Sequence, residues 1–173
     1  MGDPLNTDLC KEKIFSDFFK KHARSLRNFL IYKFGNETYA EDISQEAFIK
    51  LWQNCVDVPI EKAKSYIYTI ANNSTLNSLA HEKVKLNYKK KVSFSDSSNE
   101  NPEFLMEEKQ FKDKLLMAIA NLNEPQRVAF LMHRIDGKKY TEIAEALNIS
   151  VKAVEKRISL ALTELRKEFE NFR

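Results

Sequence analysis

Between Ile14 and Phe34 the apolar residues fall at helical spacing, and Gly35 stands where such a helix would stop. Phe15, Phe18, Phe19, Leu26, Phe29, Leu30 and Phe34 share the stripe. The same period returns along most of the chain with little to interrupt it. Three glycines and four prolines serve 173 residues, too few for a sheet-rich, turn-rich fold. With 43% of residues hydrophobic, there is enough apolar surface for a packed core. The pattern predicts an all-α protein.

A second helix is expected from about Thr38 to Asn54, striped by Ala40, Ile43, Ala47, Phe48, Leu51 and Trp52. Cys55 to Ile60, with Pro59, reads as a loop. A third helix is expected from about Glu61 to Lys85, with Ala63, Ile67, Ile70, Ala71 and Leu79 as core contacts. The composition then changes. The stretch SFSDSSNENPE, Ser93 to Glu103, is too poor in apolar residues to offset its ordering entropy. It divides the chain into a domain over 10–92, a flexible acidic linker over 93–107 and a second small helical domain over 108–173.

Charge follows the same division. Residues 1–92 hold 15 basic and 11 acidic side chains, 93–108 hold five acids and no base, and 109–173 hold 13 bases and nine acids. Two basic halves joined by an acidic strip suit two modules that face nucleic acid.

In the second half, Phe111, Leu115, Leu116 and Ile119 stripe a helix from Phe104 to Asn121. Asn123 is placed to cap the next helix, with Pro125 tolerated in its first turn and Gln126 completing an N-x-x-Q box. Val128, Ala129, Leu131, Met132 and Ile135 carry that helix to a stop at Gly137.

Two further periodic segments, EIAEAL and VKAVEKRISLAL, are separated only by Asn148, Ile149 and Ser150. A helix-turn-helix needs a small residue at its crossing, apolar residues that lock the angle, and a short turn. Ala144 supplies the first. Ile143, Leu147, Ile149, Val154 and Ile158 supply the second. Asn148 stands where Gly is common and tolerates a left-handed conformation. A Ser150 cap puts Lys152, Ala153, Lys156 and Arg157 on the solvent side of the following turns, where a recognition helix reaches base edges and phosphates. The alternative is a solvated face of a helical bundle.

Other chemistries lack their signatures. His22, His81 and His133 are scattered without ligand spacing, and no catalytic triad, P-loop or glycine-rich phosphate loop occurs. Neither catalytic activity, nor a metal, nor a cofactor is expected. Cys10 and Cys55 fit no metal or redox spacing, so a reduced, cytoplasmic setting is expected. No signal-peptide pattern and no membrane span is read in the chain.

The stretch from Leu122 to Lys167 resembles region 4 of bacterial extracytoplasmic-function (ECF) sigma factors. The matching features are L-x-E-x-Q-R, G-x-x-Y-x-E-I-A and I-S-V-x-x-V-x-x-R-I. NETYAEDISQEAFIKLWQN resembles region 2.2, and KSYIYTIANNSTLNSL resembles regions 2.3 and 2.4. The form I-S-V-K-x-V-E resembles versions common in Bacteroidetes-type bacteria. The resemblance implies a cytoplasmic transcription initiation factor. It would bind the β′ and β subunits of core RNA polymerase, read the −10 and −35 elements of promoter DNA and assist DNA opening. A further partner would be an anti-sigma factor or another recruiting DNA-bound protein. The acidic linker would lie in the RNA exit path, where it could mimic RNA.

Residue by residue, Asp42, Gln45, Glu46 and Ile49 share one face of the second helix by their spacing, and the resemblance assigns that face to the polymerase. Trp52 reads as core. The loop from Asn54 to Lys64 and the helix after it would handle the −10 strand. Lys62 and Lys64 would meet phosphates, and Tyr66 and Tyr68 would stack bases at about 1–3 kcal/mol per base unless they are core. Asn72, Asn73 and Asn77 would bond base edges or backbone. In the second half, Lys152 and Lys156 would lie near base edges, Ala153 beside them, Arg157 on the phosphate backbone, and Ser150 and Thr141 on phosphates.

Two departures stand out. Asn72 replaces the Arg of the family's usual Ala-Arg-Asn, and the basic run that closes region 2.4 is thinned to AHEKVK. Fewer cations release fewer counterions, so promoter reading is expected to be permissive or assisted. The rival readings are a helix-turn-helix regulator that works without polymerase and a sigma-like interaction module.

Overall fold

The computed structural model describes residues 8–73 and 102–170, with 102–107 described by backbone alone. Among the described residues every regular element is an α-helix. They are α1 (Glu12–Phe34), α2 (Glu37–Gln53), α3 (Ile60–Asn73), α4 (Pro102–Asn121), α5 (Glu124–Arg134), α6 (Tyr140–Leu147) and α7 (Val151–Glu170).

The helix ends are set by local chemistry. Gly35 closes α1 in the left-handed region at φ 67°, its N–H donating to the Ile31 carbonyl at 2.7 Å. One residue on, the Asn36 side chain accepts from the Tyr39 amide at 3.0 Å and starts α2. Asn123 caps α5 as expected, accepting from the Gln126 amide at 3.0 Å. α4 begins at Pro102, so the last residues assigned to the linker are helical. The third helix is described only to Asn73, and its expected continuation to Lys85, with Leu79, lies outside the described residues.

In the first half α1, α2 and α3 pack on one another around Phe29, Leu30, Ala47, Leu51, Ala63 and Ile67. Phe15, Phe18 and Phe19 meet the Phe48 ring mostly edge-on, an arrangement that suits ring quadrupoles. In the second half α7 packs on α5 and α6 around Met132, Ile143, Val154 and Ile158.

The two halves pack against each other, α1 on α5 and α3 on α6. Arg127 is the centre of that contact. Only 6% exposed, it donates through Nε to the Tyr32 carbonyl at 3.0 Å and through Nη1 to the Leu122 carbonyl at 2.8 Å. Nη2 reaches the Lys33 carbonyl at 3.3 Å. The guanidinium thus serves carbonyls at the end of α1 that have no helical partner of their own. Beside it, Asp136 Oδ1 accepts from Asn28 Nδ2 at 2.8 Å and from the Tyr32 hydroxyl at 2.9 Å.

The cysteine expectation is corrected. Cys10 and Cys55, 45 residues apart, are joined in a disulfide. The bond fastens the segment ahead of α1 to the loop between α2 and α3. Sequence spacing carried no sign of it, because the folding of α1 against α2 creates the approach.

Candidate nucleic-acid interface

The turn between α6 and α7 takes the expected form. Asn148 sits at φ 52°, ψ 49°, and its side chain carries no β-branch to resist that conformation. The Ile149 amide then donates back to the Ala144 carbonyl at 3.0 Å, closing a Schellman-like end to α6. The Ser150 hydroxyl accepts from the Ala153 amide at 3.1 Å and opens α7. At the start of α6, Glu142 reaches back to the Lys139 amide at 2.8 Å. That hydrogen bond holds the Glu142 carboxyl below its ordinary range against the opposing effect of burial, with Lys138, Lys64 and Lys139 adding to the lowering.

With α7 fixed in this way, Val154, Ile158, Ala161 and Leu165 face inward and the first turns face out. Thr141, Ser150, Lys152 and Lys156 are exposed, and Ala153 and Arg157 are half-buried. Arg157 does not stand with the two lysines. It lines a cleft of about 330 Å³ between the halves, opposite Phe29, Tyr68 and Asn72.

On α3, Lys62 is exposed, whereas Lys64 pairs with Glu145 on α6 at 2.7 Å. Tyr66 is half-buried against the core. Tyr68 is 2% exposed, shares a hydrogen bond with Ser25 at 2.9 Å, and is held by burial at a pKa of about 12. In this arrangement its ring offers no face to a base, which is the core alternative to stacking. Asn72 and Asn73 are exposed at the end of α3, and the Asn72 side-chain oxygen accepts from Lys33 Nζ. Asn77 and the lysines at 83, 85, 89, 90 and 91 lie outside the described residues.

On α2, Asp42 and Gln45 are exposed and Glu46 is half-buried, paired with Lys50 at 2.6 Å. Ile49 is 55% exposed. Trp52, expected in the core, is 42% exposed and lies edge-on against Phe15 at 4.8 Å. Phe15 and the α1 aromatics already fill the space beneath it, so the indole stays outside. Ile49 and Trp52, three residues apart, therefore make an apolar strip beside Asp42, Gln45 and Glu46.

Sequence reading did not single out Arg127 or Asp136 as residues that join the halves. Arg127 was visible as the last residue of L-x-E-x-Q-R. Its acceptors lie on α1 and are set by packing alone.

Residues 18–84 match the family described as Sigma-70 region 2, and residues 112–165 match Sigma-70, region 4. The ferric citrate uptake sigma factor FecI of Escherichia coli K12 is 26% identical over 152 residues, covering 86% of each chain. The ECF RNA polymerase sigma factor SigW of Bacillus subtilis 168 is 26% identical over 164 residues, covering 89% of this chain and 88% of its own.

The chain is an extracytoplasmic-function sigma factor.

Solved structures agree in fold. CnrH, determined in complex with the cytosolic domain of CnrY, superposes with a TM-score of 0.61 at 19% identity over 93% of this chain and 90% of that one. RpoE of Bartonella quintana, determined with the anti-sigma factor NepR, gives 0.57 at 17% identity over 93% of this chain and 99% of that one. In this sigma factor, α2 and α3 belong to region 2, and α5, α6 and α7 to region 4. The stretch between the two matches contains all of the segment read as the linker.

Proposed function

We propose that this sigma factor, a transcription initiation factor, binds core RNA polymerase through the α2 face and reads promoters through α3 and α7. The observation that carries the reading is α7 itself. Its inner face is buried, its first turn is capped by Ser150, and Lys152 and Lys156 stand free of the fold on the outer face. Such a helix can enter a major groove without any core contact being lost. Asp42, Gln45, Glu46 and Ile49, with Trp52 added, form the polymerase face, where an apolar strip beside carboxylates suits a basic and partly apolar partner. Thr141, Ser150 and Arg157 are assigned to phosphates, Lys62, Lys64 and Tyr66 to the −10 strand, and Asn72, Asn73 and Asn77 to its bases or backbone. The domain limits of 10–92 and 108–173 and the acidic linker belong to the same reading. So do a cytoplasmic site of action, the absence of catalysis by the chain itself, and a Bacteroidetes-type origin.

Promoter elements centred near −10 and −35 lie about 85 Å apart along B-form DNA at ~3.4 Å per base pair. Region 2 and region 4 pack directly on each other here, so binding both elements requires the contact between α1 and α5 to open.

The test is elution of the purified chain with core polymerase. Co-elution, weakened when Ile49→Asp and Trp52→Ala are introduced together, supports the reading. Free elution of the unmodified chain contradicts it.

A second reading is supported by Asn72, which replaces the family's usual Arg, and by the engagement of Lys33 and Lys64 with acceptors on the protein. With fewer free cations in region 2, this sigma factor relies on core polymerase or another DNA-bound protein to reach its promoters. Salt-titrated DNA binding by the isolated chain tests it. Weak, sequence-tolerant binding is expected, and tight specific binding contradicts it.

A further inference from the structure

We infer that Cys10 and Cys55 form a reversible redox site, open to small thiols and disulfides, that sets the mobility of the loop entering the −10-facing helix. What that loop does rests on the function proposed above.

Three observations carry the inference. The first is position. The segment ahead of α1 is held by the buried Leu9 side chain, by a turn in which the Cys10 amide donates to Asp8 Oδ1 at 2.9 Å, and by the bond to Cys55. At its far end, Cys55 begins the loop that leads into α3. That loop carries backbone bonds from Cys55 to Trp52 at 3.3 Å, Asp57 to Asn54 at 3.1 Å and Val58 to Asn54 at 3.2 Å, and Val58 packs against the core, while the loop tip, Val56, is 87% exposed. The disulfide therefore adds a cross-link from this exposed turn to the segment ahead of α1. The second is access. Both cysteines are half-buried rather than enclosed, a condition for attack by a thiolate from solution. The third is setting. A factor that works on DNA with polymerase operates where thiols are kept reduced, and a disulfide found there is usually transient or redox-sensing.

The chemistry balances by exchange. A thiolate of a dithiol attacks one sulfur of the pair, forming a mixed disulfide and releasing the other cysteine, which takes a proton. The second thiol of the reagent then displaces the remaining cysteine. Two protein thiols are formed, and the dithiol leaves as a disulfide carrying the oxidation. A small disulfide, such as oxidised glutathione, runs the same steps backwards and leaves as two thiols. With the bond closed, the loop is pre-ordered for strand capture. With it open, the ordering entropy falls on binding.

The test uses the full chain and a Cys10→Ser, Cys55→Ser variant, equilibrated in mixtures of reduced and oxidised glutathione. Thiols are counted by alkylation, and amide hydrogen exchange is followed in residues 54–58. The expected result is a single passage between two thiols and none across the mixtures. Loop amides should exchange about tenfold faster in the thiol form, with α2 unchanged. The variant should behave as the thiol form throughout, and in the polymerase complex the thiol form should hold a single-stranded −10 oligonucleotide less tightly. Thiols that never pair, a bond that survives excess reduced glutathione or equal loop exchange in both forms each overturn the inference, and equal strand retention with the other results as expected overturns the loop's part in strand capture. Thiol counts and amide exchange need neither polymerase nor promoter. A chain that fails to elute with core polymerase in either redox state overturns the functional reading and leaves those two measurements standing.

Discussion

Lys64 on α3 and Glu145 on α6 form an ion pair at 2.7 Å across 81 residues of sequence, joining a cation assigned to the −10 strand to the first helix of the helix-turn-helix. The pair is exposed on the glutamate side, so it adds at most about 1 kcal/mol to stability. Its larger consequence is competition. While the halves are packed together, Lys64 is spent on a carboxylate and not on a phosphate.

Glu145→Gln therefore leaves the fold intact and frees Lys64 for DNA. Binding of the isolated chain to promoter DNA should become more salt-dependent, the log–log slope steepening by about 0.7–0.9 for one added phosphate contact. Fluorescence anisotropy across a salt series measures it, and an unchanged slope would show that Lys64 does not meet the backbone.

Arg127→Met removes the donor that serves the Tyr32 and Leu122 carbonyls while keeping an apolar stem of similar length. Each carbonyl left buried without a partner costs about 1–3 kcal/mol. Urea unfolding should show a loss in that range or above. Small-angle scattering should show a larger radius of gyration as α5 leaves α1. A compact variant of unchanged stability would remove Arg127 from the contact between the halves.

His22 makes stability depend on pH. Burial, then Lys21, Lys64 and Lys138, pushes its pKa from 6.5 to about 4, with Glu145 opposing. Below pH 6.5 the unfolded chain takes up this proton and the folded chain does not, so protonation favours unfolding. The contribution is complete above pH 6.5, falls as pH is lowered towards 4, and levels off below it. Unfolding free energy measured across that window should slope less in His22→Gln than in the parent chain. Equal slopes would mean the imidazole is already solvated.

Asn148 sets the helix-turn-helix angle from a left-handed backbone. Asn148→Gly should be neutral or slightly stabilising. Asn148→Val, with a β-branched side chain at positive φ, should cost about 1–2 kcal/mol and weaken DNA binding by tilting α7. Thermal unfolding of the two variants separates them, and equal midpoints would contradict the role given to the turn.

How far these features could be read in advance depends on how local their causes are. The stripe of α1, the stop at Gly35, the caps at Asn123 and Ser150, and the Ala144 crossing all arise within a few residues and were legible in the sequence. Trp52 and Tyr68 were not. Each is an aromatic residue on a helical stripe, and its burial depends on what stands opposite: Phe15 beneath one, Ser25 and Phe29 against the other. The pairing of Cys10 with Cys55 and of Arg127 with the end of α1 depends likewise on helices brought together from distant sequence. The candidate site divides in the same way. α7 presents Lys152 and Lys156 by its own cap and period, whereas Arg157 and Lys64 are placed by how the two halves meet.

The most direct test of the account is transcription in vitro with purified core polymerase on a genomic DNA library, with and without this chain, reading the 5′ ends of the transcripts. The account predicts discrete start sites that appear only when the chain is added. Lys152→Ala should redistribute their use, at about 1–3 kcal/mol for a base it reads. Transcription that is unchanged by adding the chain would contradict it.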